Sequence, residues 1–233
     1  MNRNLLTSSA LGFTAGYVDT VGFVALFGLF TAHVTGNFIL IGSELAQPMH
    51  GVLIKFLAFP AFIAGVATAR LLALRMQHGD RALRASLLAM QFALLAACML
   101  CGWRAQPIVD ASAPWVLATG MLGAAAMGVQ NAAARLAFSD LAPTTVMTGN
   151  VTQIVIDLVD LVRGSSDAGL RQRVAKFVCP ALAFAVGAIC GALLYQNASM
   201  WALALPLAIL VGLMLTLPAA TEARPTEAGT RRA

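Results

Sequence analysis

Charge is scarce in this sequence. Of 233 residues, 15 are Lys or Arg and 10 are Asp or Glu, or 11% charged. Soluble domains carry about 25%, so an ordinary water-exposed domain is excluded. A soluble helical core would still need polar faces at helical period, and stretches such as "LLAMQFALLAACML" have none. Cysteine is sparse too. Cys98 and Cys101 stand at CxxC spacing, but within an apolar run with no His and no second CxxC nearby. That context reads as packing, with Cys179 and Cys190 alike, and gives no disulfide framework or metal site. The three histidines form no HExxH motif. The formal charge of +5 comes from Lys and Arg scattered over short loops without an aromatic-basic face, which excludes nucleic acid as a partner. The sequons at Asn150 and Asn197 carry no weight without a secretory context.

What the chain does have is apolar length. A spanning helix needs about 20 apolar residues, and six such runs lie near 10–30, 52–74, 83–102, 114–135, 175–195 and 200–217. The reading is an all-α, polytopic membrane protein. The first run is too long for a signal peptide, contains Asp19 and shows no clear cleavage site, so it is read as a retained helix. Residues 219–233, polar and proline-containing, are expected to form a disordered cytoplasmic tail. If the N-terminus is inside and only the six runs cross, thirteen Lys and Arg fall on the cytoplasmic side and only Lys55 and Arg104 outside. That bias predicts a multi-pass inner-membrane protein with both termini cytoplasmic.

The triplet Thr-Gly-Asn occurs twice, at Thr35–Asn37 and Thr148–Asn150, each time before an apolar stretch. It belongs to a longer self-match. "GFTAGYVDTVGF" aligns with "GAAAMGVQNAAA", so Gly12 meets Ala124, Gly16 meets Gly128 and Asp19 meets Asn131. "FIAGVATA" from Phe62 aligns with "FAVGAICG" from Phe184, pairing Gly65 with Gly187 and Ala69 with Gly191. The halves, 1–110 and 111–218, thus each hold three spanning helices plus a Thr-Gly-Asn segment. Three crossings per half force the halves into opposite orientations, a 3+3 inverted repeat of the kind transporters use. The alternative is eight crossings in parallel repeats. It would put Arg70, Arg75, Arg81 and Arg84 outside, against the charge rule. The segment from Thr35 to Ala46 is also too short to cross upright. The two segments are therefore read as short re-entrant helices.

Irregular backbone at membrane depth survives only inside protein or along a wet cavity. There Thr35 and Thr148 would cap, Gly36 and Gly149 would allow close approach, and Asn37 and Asn150 would offer a donor and an acceptor. Such helix starts suit a polar or anionic group. Asp19, near the middle of the first helix, is a functional candidate by its cost alone. His33 is its expected partner, and Asn131 with Gln130 holds the matched place. The substrate-binding set is thus Asp19, His33, Thr35, Gly36, Asn37, Gln130, Asn131, Thr148, Gly149 and Asn150. Asp157, Asp160 and Arg163 share a helix face and read as an intrahelical ion pair. Gly187 and Gly191 form a GxxxG notch, read either as packing or as a contact in a homo-oligomer.

The stretches "GYVDTVGF", "FTAHVTGN", "MGVQNAAARLAF" and "PTTVMTGN" resemble the YoaK-type family of small bacterial membrane proteins, a domain of unknown function. The likeness runs from about Gly12 to Leu217, with no departure at the ten site residues. It implies a bacterial inner-membrane protein and no particular substrate. The expected function is a small transporter or channel for a polar solute or ion, without cofactor or metal. The lipid bilayer and the solute are its partners. A non-transporting assembly or sensor protein, using the Asp19 and glycine face for helix contacts, is the second reading. An intramembrane enzyme is not expected, since no nucleophile–base pair is present.

Overall fold

The small residues of the first long helix decide what it packs against. In the computed structural model, which describes residues 3–46, 51–76, 80–145, 147–164 and 169–217, α1 spans Arg3–Ala25. It is followed by α2 (Gly36–Ala46), α3 (Val52–Arg75), α4 (Asp80–Arg104) and α5 (Pro114–Leu136). Then come α6 (Met147–Val162), α7 (Leu170–Ala198), a 3-10 turn at Ser199–Leu203 and α8 (Ala204–Leu215). The tail from 218 onward, His50 and His78 lie outside the described residues.

Four stretches are long and apolar enough to cross a membrane: Val52–Arg75, Arg81–Arg104, Pro114–Leu136 and Leu170–Leu215. The last holds two of the six expected runs, separated at Ser199, whose φ of 51° reverses the chain. The first expected run is displaced. It starts seven residues earlier and ends at Ala25, because Phe27 and Gly28 both adopt positive φ and the Gly28 amide bonds back to the Phe23 carbonyl. α1 is not apolar enough to count as a span by composition. Three of its polar positions, Ser8, Thr14 and Asp19, are turned inward and buried.

α1 packs along α7, and α5 along α3. Both pairs are glycine seams. A Cβ at Gly16 would overlap the Phe184 carbonyl oxygen, and one at Gly187 that of Phe13. Equivalently, a Cβ at Gly128 would overlap the Phe62 carbonyl and one at Gly65 that of Ala125. Close backbone approach of this kind is what holds helices together where lipid is as apolar as the side chains. Gly187 and Gly191 are therefore buried against Phe13 and Tyr17 of the same chain. The expected homo-oligomer contact through them is corrected: the notch is already filled by α1. α4 lies on α5 and meets α8, which in turn touches α1.

The two ends of the bundle differ in what they gather. At one, Asn4 donates to Asp140 (2.8 Å) and Arg84 bonds the Ala137 carbonyl while lying over the Phe138 ring. At the other stand Lys55, Arg104, and the Trp103–Trp201 pair. Tyr17 ties α1 to the 3-10 turn through Ala202 (2.8 Å).

Candidate functional site

A carboxylate only accepts hydrogen bonds, so Asp19 needs donors wherever α1 buries it. The chain supplies them by turning back after Gly28. Asp19 Oδ1 accepts from the Thr31 and Ala32 amides, both at 2.7 Å, and from the Thr31 hydroxyl at 3.3 Å. Asp19 Oδ2 is bonded to His33 Nδ1 at 2.7 Å. The segment from Leu29 to Val34 is thereby hung on the last third of α1, six residues before its end.

Asn37 then clamps the entry of α2. Its side-chain nitrogen donates to the Phe30 carbonyl (2.8 Å), and its oxygen accepts from the Phe30 amide (2.9 Å). The same job recurs after α5. Asn150 donates to the Pro143 carbonyl, again seven residues back, at 2.7 Å. Proline has no amide, so the second bond of the pair has no counterpart there. Asn131 donates to the Thr145 hydroxyl (2.7 Å). Gln130 donates to the Leu11 carbonyl (2.9 Å) and the Thr144 hydroxyl (3.1 Å), and accepts from Gln91 (2.7 Å).

Of the ten residues named from the sequence, Asp19, Asn37, Gln130 and Asn150 are buried and bonded. Asn131 and His33 are half-buried, and Gly36 lies under the Phe30 ring. Thr35, Thr148 and Gly149 face outward. The expected capping by threonine is corrected: among the described residues neither hydroxyl accepts from a helix-start amide. At α2 there is nothing to cap, because Gly36, Asn37 and Phe38 donate to the carbonyls of His33, Val34 and Thr35 in a tight entry turn. The start of α2 is thus no open anion cradle. The two short helices do not touch each other.

Sequence reasoning missed the far ends of these helices. Glu44, near the end of α2, is buried and ion-paired with Lys55, itself 1% exposed, which also donates to the Phe27 carbonyl. Asp157 of α6 is buried and paired with Arg173 of α7 at 3.2 Å, with Gln153 as a further donor at 2.9 Å. The expected Asp157–Asp160–Arg163 pair is corrected accordingly: Asp157 turns inward to α7, while Asp160 and Arg163 stay exposed. The signal was available. Asn37 to Asn150 is a shift of 113 residues, and so is Glu44 to Asp157. Cavities of about 430 Å³, beside Arg173 and Lys176, and about 460 Å³, beside Phe27 and Gly51, open at the two ends.

Residues 7–216 match the model of a family described as a protein of unknown function, DUF1275, and the chain belongs to that family. It is 28% identical over 219 residues to the UPF0700 transmembrane protein YoaK of Bacillus subtilis (strain 168). The match covers 92% of this chain and 93% of that protein. No solved structure matches the chain. The chain is a multi-pass membrane protein, in accord with its four long apolar stretches.

Proposed function

We propose that this member of the DUF1275 family is a small, non-enzymatic transporter or channel for a polar solute or ion, built as a 3+3 inverted repeat. The observation that carries the reading is the pair of hung helices. α2 follows a hairpin bonded to Asp19, six residues before the end of α1, and is ion-paired near its own end to Lys55 at one end of the bundle. α6 starts level with Gln130 and Asn131 in α5 and ends on Arg173 at the other. Two short helices, each following a hairpin bonded to a long helix and each pinned by an acid to a different end of the bundle, suit re-entrant segments of a membrane protein.

The glycine seams support the repeat. Gly16 against Phe184 and Gly128 against Phe62 use aligned residues with the halves exchanged. So do Gly187 against Phe13 and Gly65 against Ala125. Two units that swap a helix contact in this way enclose an interface between repeats, where transporter sites lie. Irregular backbone packed against a long helix in each half suits such a site, because it is tolerated within a membrane only inside protein or along a wet cavity.

A second reading draws on the same network. Nearly every buried polar group there is bonded to the chain itself, which suits a protein that uses the hairpins for structure and serves as an assembly or sensor protein. Proteoliposomes separate the two. Osmotic swelling and ion-flux assays with urea, glycerol, neutral amino acids, potassium and chloride should show protein-dependent entry of at least one class, reduced by Asn37→Ala. No flux above empty vesicles for any of them, with folded protein, would favour the non-transporting reading.

A further inference from the structure

One titratable ring in this network keeps a nitrogen unbonded among the described residues. Both oxygens of Asp19 are occupied, Asn37 is bonded at both ends of its amide, and Gln130 uses donor and acceptor alike. His33 uses Nδ1 for Asp19, and among the described residues nothing bonds Nε2. The ring is also the exposed member of the pair: its side chain is 35% accessible against 5% for Asp19. Phe184 of α7 and Phe30 meet it edge-on at 5.4 and 6.5 Å between ring centres, which holds its plane.

We infer that His33 Nε2 is a proton-binding site, oriented by Asp19 and opening on the outward side of the Leu29–Val34 hairpin. The bond to Asp19 fixes the tautomer, because a carboxylate requires Nδ1 to be the N–H. That leaves the lone pair on Nε2, where a proton from water forms a new N–H bond and no other bond breaks. The Asp19–His33 pair then goes from net −1 to net 0. Asp19 is the ionisable group bonded to His33 from α1; α7 presents Phe184 and the hairpin presents Phe30, neither of which titrates. The second half offers no such site. Asn131 stands at the place of Asp19, and Val146 holds the sequence position matched to His33. Proton binding by a histidine therefore belongs to the first half. Its use in solute coupling rests on the transport reading; the chemistry of the site does not.

The test starts from a single-histidine protein, with His50→Gln and His78→Gln, labelled with ¹⁵N-histidine and held in nanodiscs. The imidazole nitrogens should report one reversible protonation at Nε2 between about pH 5 and 8, the range open to histidine. Potentiometric titration should show about one proton taken up per chain over that range, lost in His33→Asn. Asparagine keeps a nitrogen near the Nδ1 position to donate to Asp19 while removing Nε2, so the hairpin should stay hung and the variant folded. If Nε2 stays bare, or stays protonated, throughout that range in the folded protein, the inference is wrong. The spectrum of the native-sequence His33 decides this even if the Asn variant does not fold. Protonation without any solute flux would count against transport and leave the site standing; flux without protonation would do the reverse.

Discussion

The Leu29–Val34 hairpin and its partner ahead of α6 are the same device with different chemistry. Each hangs on a helix interior, is clamped by an asparagine seven residues on, and leads to a helix pinned at its far end by an acid. The first is ionic: Asp19, His33 and a sealed Glu44–Lys55 pair. The second is mostly neutral where the first is charged: Asn131 and two threonine hydroxyls, with the Asp157–Arg173 pair half open, Arg173 being 45% exposed. The two turns thus differ in charge while each keeps donors and acceptors for its backbone.

That contrast is sharpened most by removing the two bases. Lys55→Met leaves Glu44 as an uncompensated buried charge and should cost about 3–5 kcal/mol, seen as a large loss of thermal stability in detergent. Arg173→Met should cost clearly less, because Gln153 still bonds Asp157 and the guanidinium was already half in solvent. Equal losses would erase the distinction between a sealed and an open pair.

Next comes the hanging point. Asp19→Asn turns an amide N–H₂ toward the Thr31 or Ala32 amides or toward His33, so at least one donor faces a donor. A loss of about 1–3 kcal/mol is expected. Asn131→Ala removes a single bond to Thr145 and should cost about 1 kcal/mol. The four donors around Asp19 argue against a neutral amide at position 19, and intact stability of Asp19→Asn would contradict this.

Smaller again is the difference between the clamps. Asn37→Ala loses two bonds to Phe30 and Asn150→Ala one to Pro143, so the first should be more damaging by about 1 kcal/mol in the same melts. The smallest effect belongs to the threonines. Thr35→Ala and Thr148→Ala alter exposed side chains that cap nothing and should each lie within about 0.5 kcal/mol.

The helices were legible because apolar length dominates this chain, and Gly16, Gly65, Gly128 and Gly187 stand where two backbones touch. Asp19 and the two asparagines stood out as polar residues in apolar surroundings, and all three are buried. Their partners were not legible, since those are backbone groups, which every sequence offers everywhere. Lys55 was read as an outside charge and not weighed as the buried base it is, because Glu44 sits eleven residues away across a turn and no local spacing joins them. The start of α1 was misjudged because its first two turns carry Arg3, Asn4, Thr7, Ser8 and Ser9, which break the apolar run without breaking the helix.

The central claim is that the short helices turn back instead of crossing. It is tested by introducing Ser43→Cys, exposed near the end of α2, or Arg75→Cys, at the end of α3, into a protein freed of its four cysteines. An impermeant maleimide is then applied to either side of oriented membranes. The account predicts that position 43 reacts only from outside and position 75 only from the cytoplasm. Labelling of 43 from the cytoplasm together with 75 from outside would mean that α2 crosses, and would contradict it.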